Sequence, residues 1–172
     1  RGYAAQDLCK KCKFEEVAYL ILNGELPNKK QLKDFERQER KERKLSKTLL
    51  QDIKNFPKKA HPMDVARTAV SIMGLEDKET KDNSRKANMR KVMRIFAKTP
   101  VALAAFYRSR KGKKIISPKS NLSFSENFFY MCFGKVPNED IVKAFDVSLI
   151  LYAEHSFNVS TFTARTITSS LS

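Results

Sequence analysis

The chain has 172 residues, 41% of them hydrophobic, with a formal net charge of +15. That length buries a real core, and five glycines in a chain rich in Leu, Ala, Lys, Glu and Arg favour helices over sheets. No apolar run approaches the roughly 20 residues that span a bilayer, and the opening RGYAAQDL lacks the apolar segment of a signal peptide, so a soluble, cytoplasmic protein with no membrane partner is expected.

In chain order, FEEVAYLILNGELP puts Phe14, Val17, Ala18, Leu20, Ile21 and Leu22 on one broad face and ends in Asn-Gly. This pattern predicts an amphipathic helix with a glycine stop. Pro27 then opens NKKQLKDFERQERKER, where Leu32 and Phe35 are the only large apolar residues before Leu45. Charges of both signs fill the rest, with Glu36–Arg40 and Glu39–Arg43 four apart, as in a solvent-exposed helix. SKTLLQDIKNFP reads as a short helix with Ser46 as its N-cap. In HPMDVARTAVSIMGL, Pro62 suits a first helical turn and Gly74 an end. Its stripe is Val65, Ala69, Ile72 and Met73, and small Ala66, Thr68 and Ala69 permit close helix–helix approach.

EDKETKDNSRKANM is a polar connection or a helix start. A long helical pattern follows from Arg85 to Arg110, with a kink or break expected at Pro100. RSRKGKKIISPKSNL is a basic loop, and SFSENFFYMCFGKVP a short aromatic helix capped by Ser123 or Ser125 and stopped by Gly134. NEDIVKAFDVSLILYAEH starts at Asn138, with acids suited to the helix dipole in its first turn. Apolar residues nearly encircle it from Val147 to Ala153, which predicts burial of that half. NVSTFTARTITSSL begins a further helix with Val159, Phe162, Ile167 and Leu171. No strand-length alternation with hairpin chemistry appears, so the expected fold is all-α with eight or nine helices.

The charge is uneven. Residues 1–119 hold 31 Lys and Arg against 14 Asp and Glu, whereas residues 120–172 hold 3 against 5. A basic field of this kind attracts polyanions. Because acids are mixed through the basic helices and no aromatic platform accompanies them, a nucleic-acid partner is not expected. Both ends read as cut, since residue 1 is Arg and the final TARTITSSLS keeps helical spacing without a terminator. An internal piece of a longer polypeptide is the expectation.

Few residues carry chemistry. Cys9-Lys-Lys-Cys12 has the spacing of half a zinc site, but only Cys132, His61 and His155 remain as further soft ligands, all distant. No metal site is expected. His61, before Pro62, is placed to bond a free backbone group at a helix start. Neither a GxSxG elbow nor a GxxxxGK[ST] phosphate loop occurs. His155 and Asn158, in AEHSFNVSTFTART, follow an apolar segment and need partners if buried. Neighbouring hydroxyls such as Ser156, Ser160 or Thr161 would serve, and so would an anionic ligand, because imidazolium and amide donors suit a carboxylate. The residues alone leave both readings open.

Taken together, RGY…DL, FEEVAYLILNGELP, HPMDVARTAVS, AKTPVALAAFYRSRKG, LSFSENFFYMCFGKVP and AEHSFNVSTFTAR resemble the citrate synthase family in order and spacing, over essentially all 172 residues. The resemblance implies a multi-helical fold with a large and a small domain, of which residues 1–172 are part of the large one and the small domain is absent. It implies condensation of acetyl-CoA with oxaloacetate to citrate and CoA, with acetyl-CoA a substrate and no cofactor. It implies a homodimer or an assembly of dimers, with interface helices around 62–74 and 88–110. In the family's DHE..N.S stretch the histidine and asparagine contribute to the oxaloacetate site, and His155 and Asn158 match those places. Glu154 and Ser156 depart from the usual Asp and Glu there. The family's catalytic GP.HG and G.GHR runs and its later aspartate do not occur in these residues, so no catalytic residue is expected here and the 172 residues alone are expected to be inactive. A 2-methylcitrate synthase, using propionyl-CoA, is the alternative within the family. A basic helical nucleic-acid-binding module is the alternative outside it.

Overall fold

A computed structural model describes residues 2–153 and 159–170, with the side chains of residues 159, 161 and 162 left undescribed. Nine α-helices and no strand occur among the described residues. They are α1 (Ala5–Lys11), α2 (Phe14–Asn23), α3 (Lys29–Glu42), α4 (Lys47–Asn55), α5 (Pro62–Glu76), α6 (Arg85–Arg110), α7 (Phe124–Phe133), α8 (Glu139–Tyr152) and α9 (Val159–Ser169). The chain divides into two compact units, Asn28–Val142 and the pair Arg1–Pro27 with Lys143–Ser172, so that α8 crosses the division.

Local chemistry sets the helix ends. Asn28 accepts from the Gln31 N–H while the Gln31 side chain accepts from the Asn28 N–H, which satisfies two otherwise unpaired donors at the start of α3. Ser123 and Glu126 make the same reciprocal box at α7. Ser46 caps α4 and Ser84 caps α6 through their hydroxyls. Gly24 and Gly134 close α2 and α7 at φ 97° and 82°, a left-handed conformation that costs a side-chain-bearing residue about 1 kcal/mol or more.

Within Asn28–Val142, α6 is the central element, packed by α3, α4, α5 and α7. Leu49 and Ile53 of α4, Val65, Ala69 and Met73 of α5, Val101, Ala102, Ala104, Ala105 and Phe106 of α6 and Met131 of α7 form one core. Alanines 97, 102, 104 and 105 are all fully buried, so at these positions α6 presents little side-chain bulk to its neighbours. Rings extend this core, with Phe96 stacked on Phe124 at 4.8 Å and tilted against Phe35 at 6.1 Å.

Four expectations need correction. Of the kink or break expected at Pro100, the break does not occur: helix α6 continues through that residue. Proline inside a helix costs about 3 kcal/mol, and the buried faces of Val101 and Phe106 on the next turns, each worth about 1.5–3 kcal/mol, outweigh it. Helix α5 continues past Gly74 to Glu76, because Gly74 keeps a right-handed conformation and Asp77 is the cap. The α3 pair Glu39–Arg43 is buried, with side chains 2% and 3% exposed. The Arg43 guanidinium donates from Nε and Nη2 to the Glu39 carboxylate and from Nη1 to the carbonyls of Lys119 and Leu122, at 2.7 and 3.0 Å. Burial pushes the Glu39 carboxyl above its ordinary range, and the hydrogen bonds from Arg43 oppose that shift without cancelling it. Finally, the apolar half of α8 is only partly covered. Ile150 is 5% exposed, but Leu151 and Tyr152 are 55% and 77% exposed. A pattern that encircles a helix records apolar character, whereas burial requires neighbours on every side.

Candidate functional site

The two residues marked out for substrate binding, His155 and Asn158, lie outside the described residues. The helices that flank them are described. Helix α8 ends at Tyr152 and α9 begins at Val159. The Asn138 side chain accepts from the Ile141 N–H at the start of α8, and Glu139 and Asp140 occupy its first turn, as the dipole favours. Farther along, Asp146 accepts from the Phe14 N–H at the first turn of α2, at 3.4 Å. That bond ties α8 to α2, whose buried residues include Phe14, Val17, Ala18 and Leu20.

The hydroxyl-rich helix α9 is largely self-satisfied. Thr168, Ser169 and Ser170 donate to the carbonyls of Ala164, Thr166 and Ile167 at 2.6–2.8 Å. Its described side chains are exposed. Arg165 is among them, a cation with no ion-pair partner among the described residues. Sequence reasoning passed over Arg165 because it sits in a run of hydroxyls rather than beside an acid.

The remaining candidates resolve structurally. His61 is the N-cap of α5, and its Nδ1 accepts from the Met63 N–H at 3.2 Å, as its place before Pro62 predicted. Cys9, Cys12 and Cys132 are free thiols. Burial, then the neighbouring Glu16 carboxylate, raises the Cys12 thiol, and burial lifts Cys132 to about 11. Both are therefore protonated at neutral pH and poor nucleophiles. No group of three or more His, Cys, Asp or Glu side chains that could hold a metal occurs among the described residues. Among the described residues no helix is long and apolar enough to cross a membrane.

A second feature is the outer face of α5 and α6. Met63, Arg67, Thr68, Ser71 and Leu75 of α5 are exposed, as are Asn88, Val92 and Ile95 of α6. Beside them a groove of about 600 Å³ is lined by Val70, Met73, Ile95, Arg94, Asp77 and Glu79 among others. Arg94 donates to Asp77 at 2.8 Å and to Glu79 at 2.7 Å, and Arg90 also grips Glu79. The hydrogen bonds from Arg90 and Arg94 hold the Glu79 carboxyl down at about 2. Burial alone would raise Asp77, but hydrogen bonds from the Glu79 N–H and Arg94 outweigh it and leave that carboxyl lowered. This network fixes the 77–84 connection onto α6.

Comparison with known proteins gives a consistent result. The family model described as "Citrate synthase, C-terminal domain" matches residues 1–172. The chain is 50% identical over 180 aligned positions to 2-methylcitrate synthase 2 of Corynebacterium glutamicum, covering all of this chain and 46% of that protein. It is 46% identical over 172 residues to a citrate synthase of Mycolicibacterium smegmatis, again covering all of this chain and 46% of the relative. The crystal structure of citrate synthase from Pyrobaculum aerophilum superposes with a TM-score of 0.92 at 33% identity, covering 99% of this chain and 45% of that one. The chain thus spans less than half the length of these relatives.

Proposed function

The chain belongs to the citrate synthase family, and on that premise we propose that it is part of an enzyme condensing acetyl-CoA with oxaloacetate to give citrate and CoA. The observation that carries the proposal is the match of the family model over the whole of residues 1–172. His155 and Asn158 would bind oxaloacetate, the imidazole donating to a substrate carboxylate and the Asn158 amide supporting the same pocket. Supporting this, they keep their order and spacing in AEHSFNVST, and donors of this kind fit a dicarboxylate without any metal.

Residues 1–172 hold no histidine besides His61 and His155. With His61 engaged as a helix cap, the proton transfers at the acetyl methyl group and at the ketone need groups from the rest of the enzyme. We therefore assign these 172 residues to the large helical domain, binding but not converting substrate by themselves.

The enzyme works as a homodimer in this reading, through α5 and α6. In support, Leu75, Val92 and Ile95 leave apolar surface on that face, and Thr68 and Ser71 return their hydroxyls to their own helix, so the face presents little unmet polarity to a partner. The free thiols suit a cytoplasmic location.

The second reading, 2-methylcitrate synthase acting on propionyl-CoA, is favoured by the 50% identity to the Corynebacterium enzyme of that name. One assay separates the two. CoA release by the full-length protein is followed with oxaloacetate and either acyl-CoA. A higher kcat/KM for acetyl-CoA supports citrate synthesis, a higher value for propionyl-CoA supports the second reading, and release with neither refutes both.

A further inference from the structure

From Arg85 to Ser125 the chain carries 12 Lys and Arg and no Asp or Glu. Arg90 and Arg94 in that span are neutralised by Glu79 and Asp77. Six others, Arg108, Arg110, Lys111, Lys113, Lys114 and Lys119, have no ion-pair partner among the described residues. Several are held by aromatic faces and carbonyls instead. Lys111 Nζ donates to the Tyr107 hydroxyl at 2.9 Å and lies 4.4 Å from the centre of that ring. Lys119 Nζ lies 4.3 Å from the Tyr130 ring, and Arg108 donates to the carbonyls of Lys114 and Cys132. Such contacts orient a cation without cancelling its charge.

Beside these cations stands an exposed ring. Phe133, the last residue of α7, is 54% exposed. Tyr107 meets it edge-on at 5.6 Å and Phe129 tilts against it at 6.1 Å, so the ring is held in place while much of it faces water. Ile116 of the basic loop lies against the end of the same helix, where a Cβ at Gly134 would sit 3.5 Å from its Cδ1. The fold thus brings the basic loop and Phe133 to one rim. Sequence reading found no aromatic platform beside the basic residues because α6 and α7 supply the two parts separately.

We propose that this rim, formed by the end of α6, the 111–119 loop and the end of α7, binds single-stranded nucleic acid, with phosphates on Arg110, Lys113 and Lys114 and a base stacked on Phe133. Uncompensated cations beside a fixed, solvent-facing ring are the two parts of a sequence-tolerant single-strand site. A duplex hides its base faces, so it cannot offer a base to Phe133 while its phosphates meet the cations. The inference stands apart from the condensation chemistry.

The test is anisotropy of a labelled oligothymidylate of about a dozen nucleotides with the purified full-length protein, titrated between about 50 and 200 mM salt. The site predicts binding that weakens steeply with salt. Phe133→Ala weakens it about tenfold at constant salt slope. Replacing Arg110, Lys113 and Lys114 with Ala lowers the slope by about 2, at about 0.7 per phosphate contact. Phe133→Leu, which keeps apolar volume but removes the ring, shows the same loss as Phe133→Ala if stacking is the cause. Absence of binding at low salt overturns the proposal. So does affinity unchanged by both Phe133 variants, or competition by duplex DNA or phosphatidylserine vesicles equal to that of the single strand, either of which leaves only a general polyanion surface.

Discussion

The core of the Asn28–Val142 unit and the described residues from Leu151 onward hold similar kinds of apolar residue with opposite outcomes. In the first, Leu49, Ile53, Ala102 and Phe106 are at most 1% exposed, and even the charged pair Glu39–Arg43 is sealed. In the second, Leu151, Tyr152 and Ile167 are each more than half exposed. The difference separates two tasks. The first unit closes its own core around α6 and supplies rigidity. The second carries the flanks of His155 and Asn158 on helices whose apolar sides are open among the described residues.

The contrast breaks most sharply at Arg43. Arg43→Ala leaves Glu39 and the carbonyls of Lys119 and Leu122 buried without their donors, and a loss of about 3–5 kcal/mol is expected in denaturant unfolding. A loss below about 1 kcal/mol would place the pair in water. Ile53→Ala, at a side chain with 0% exposure, should cost about 2–5 kcal/mol, whereas Leu151→Ala should change stability by less than about 0.5 kcal/mol. Equal losses at the two positions would erase the distinction between the regions.

The caps were legible before the fold, because each depends on neighbours in sequence. Ser46, His61, Ser123, Gly24 and Gly134 all bound helices through bonds spanning a few residues, as read, while the caps Asn28 and Ser84 went unread. What escaped was set by distant partners. Glu39 and Arg43 read as a surface pair until the 119–122 segment covers them. Pro100 reads as a kink or a break, yet α6 continues through it with Val101 and Phe106 buried in the core. The candidate substrate residues were legible only by resemblance, since local chemistry left His155 and Asn158 open between a structural and a binding role.

A smaller effect sharpens the comparison through pH. Glu79 is held low by Arg90 and Arg94, so its contribution is present above its unfolded value of 4.5 and is lost as pH falls towards 2. The native protein should lose more stability across that window than Glu79→Gln. Because these groups are reached by solvent, added salt should shrink the difference. Identical acid profiles would show that the network contributes nothing to holding the 77–84 connection. The effect should stay well below that of Arg43→Ala.

The most direct test of the central claim is steady-state kinetics of the full-length protein with His155→Ala. If His155 donates to an oxaloacetate carboxylate, loss of that charge-assisted hydrogen bond lowers kcat/KM for oxaloacetate at least about tenfold, at about 1.5–3 kcal/mol, while the thermal midpoint stays near that of the unsubstituted protein. An unchanged KM and kcat for oxaloacetate would contradict the account.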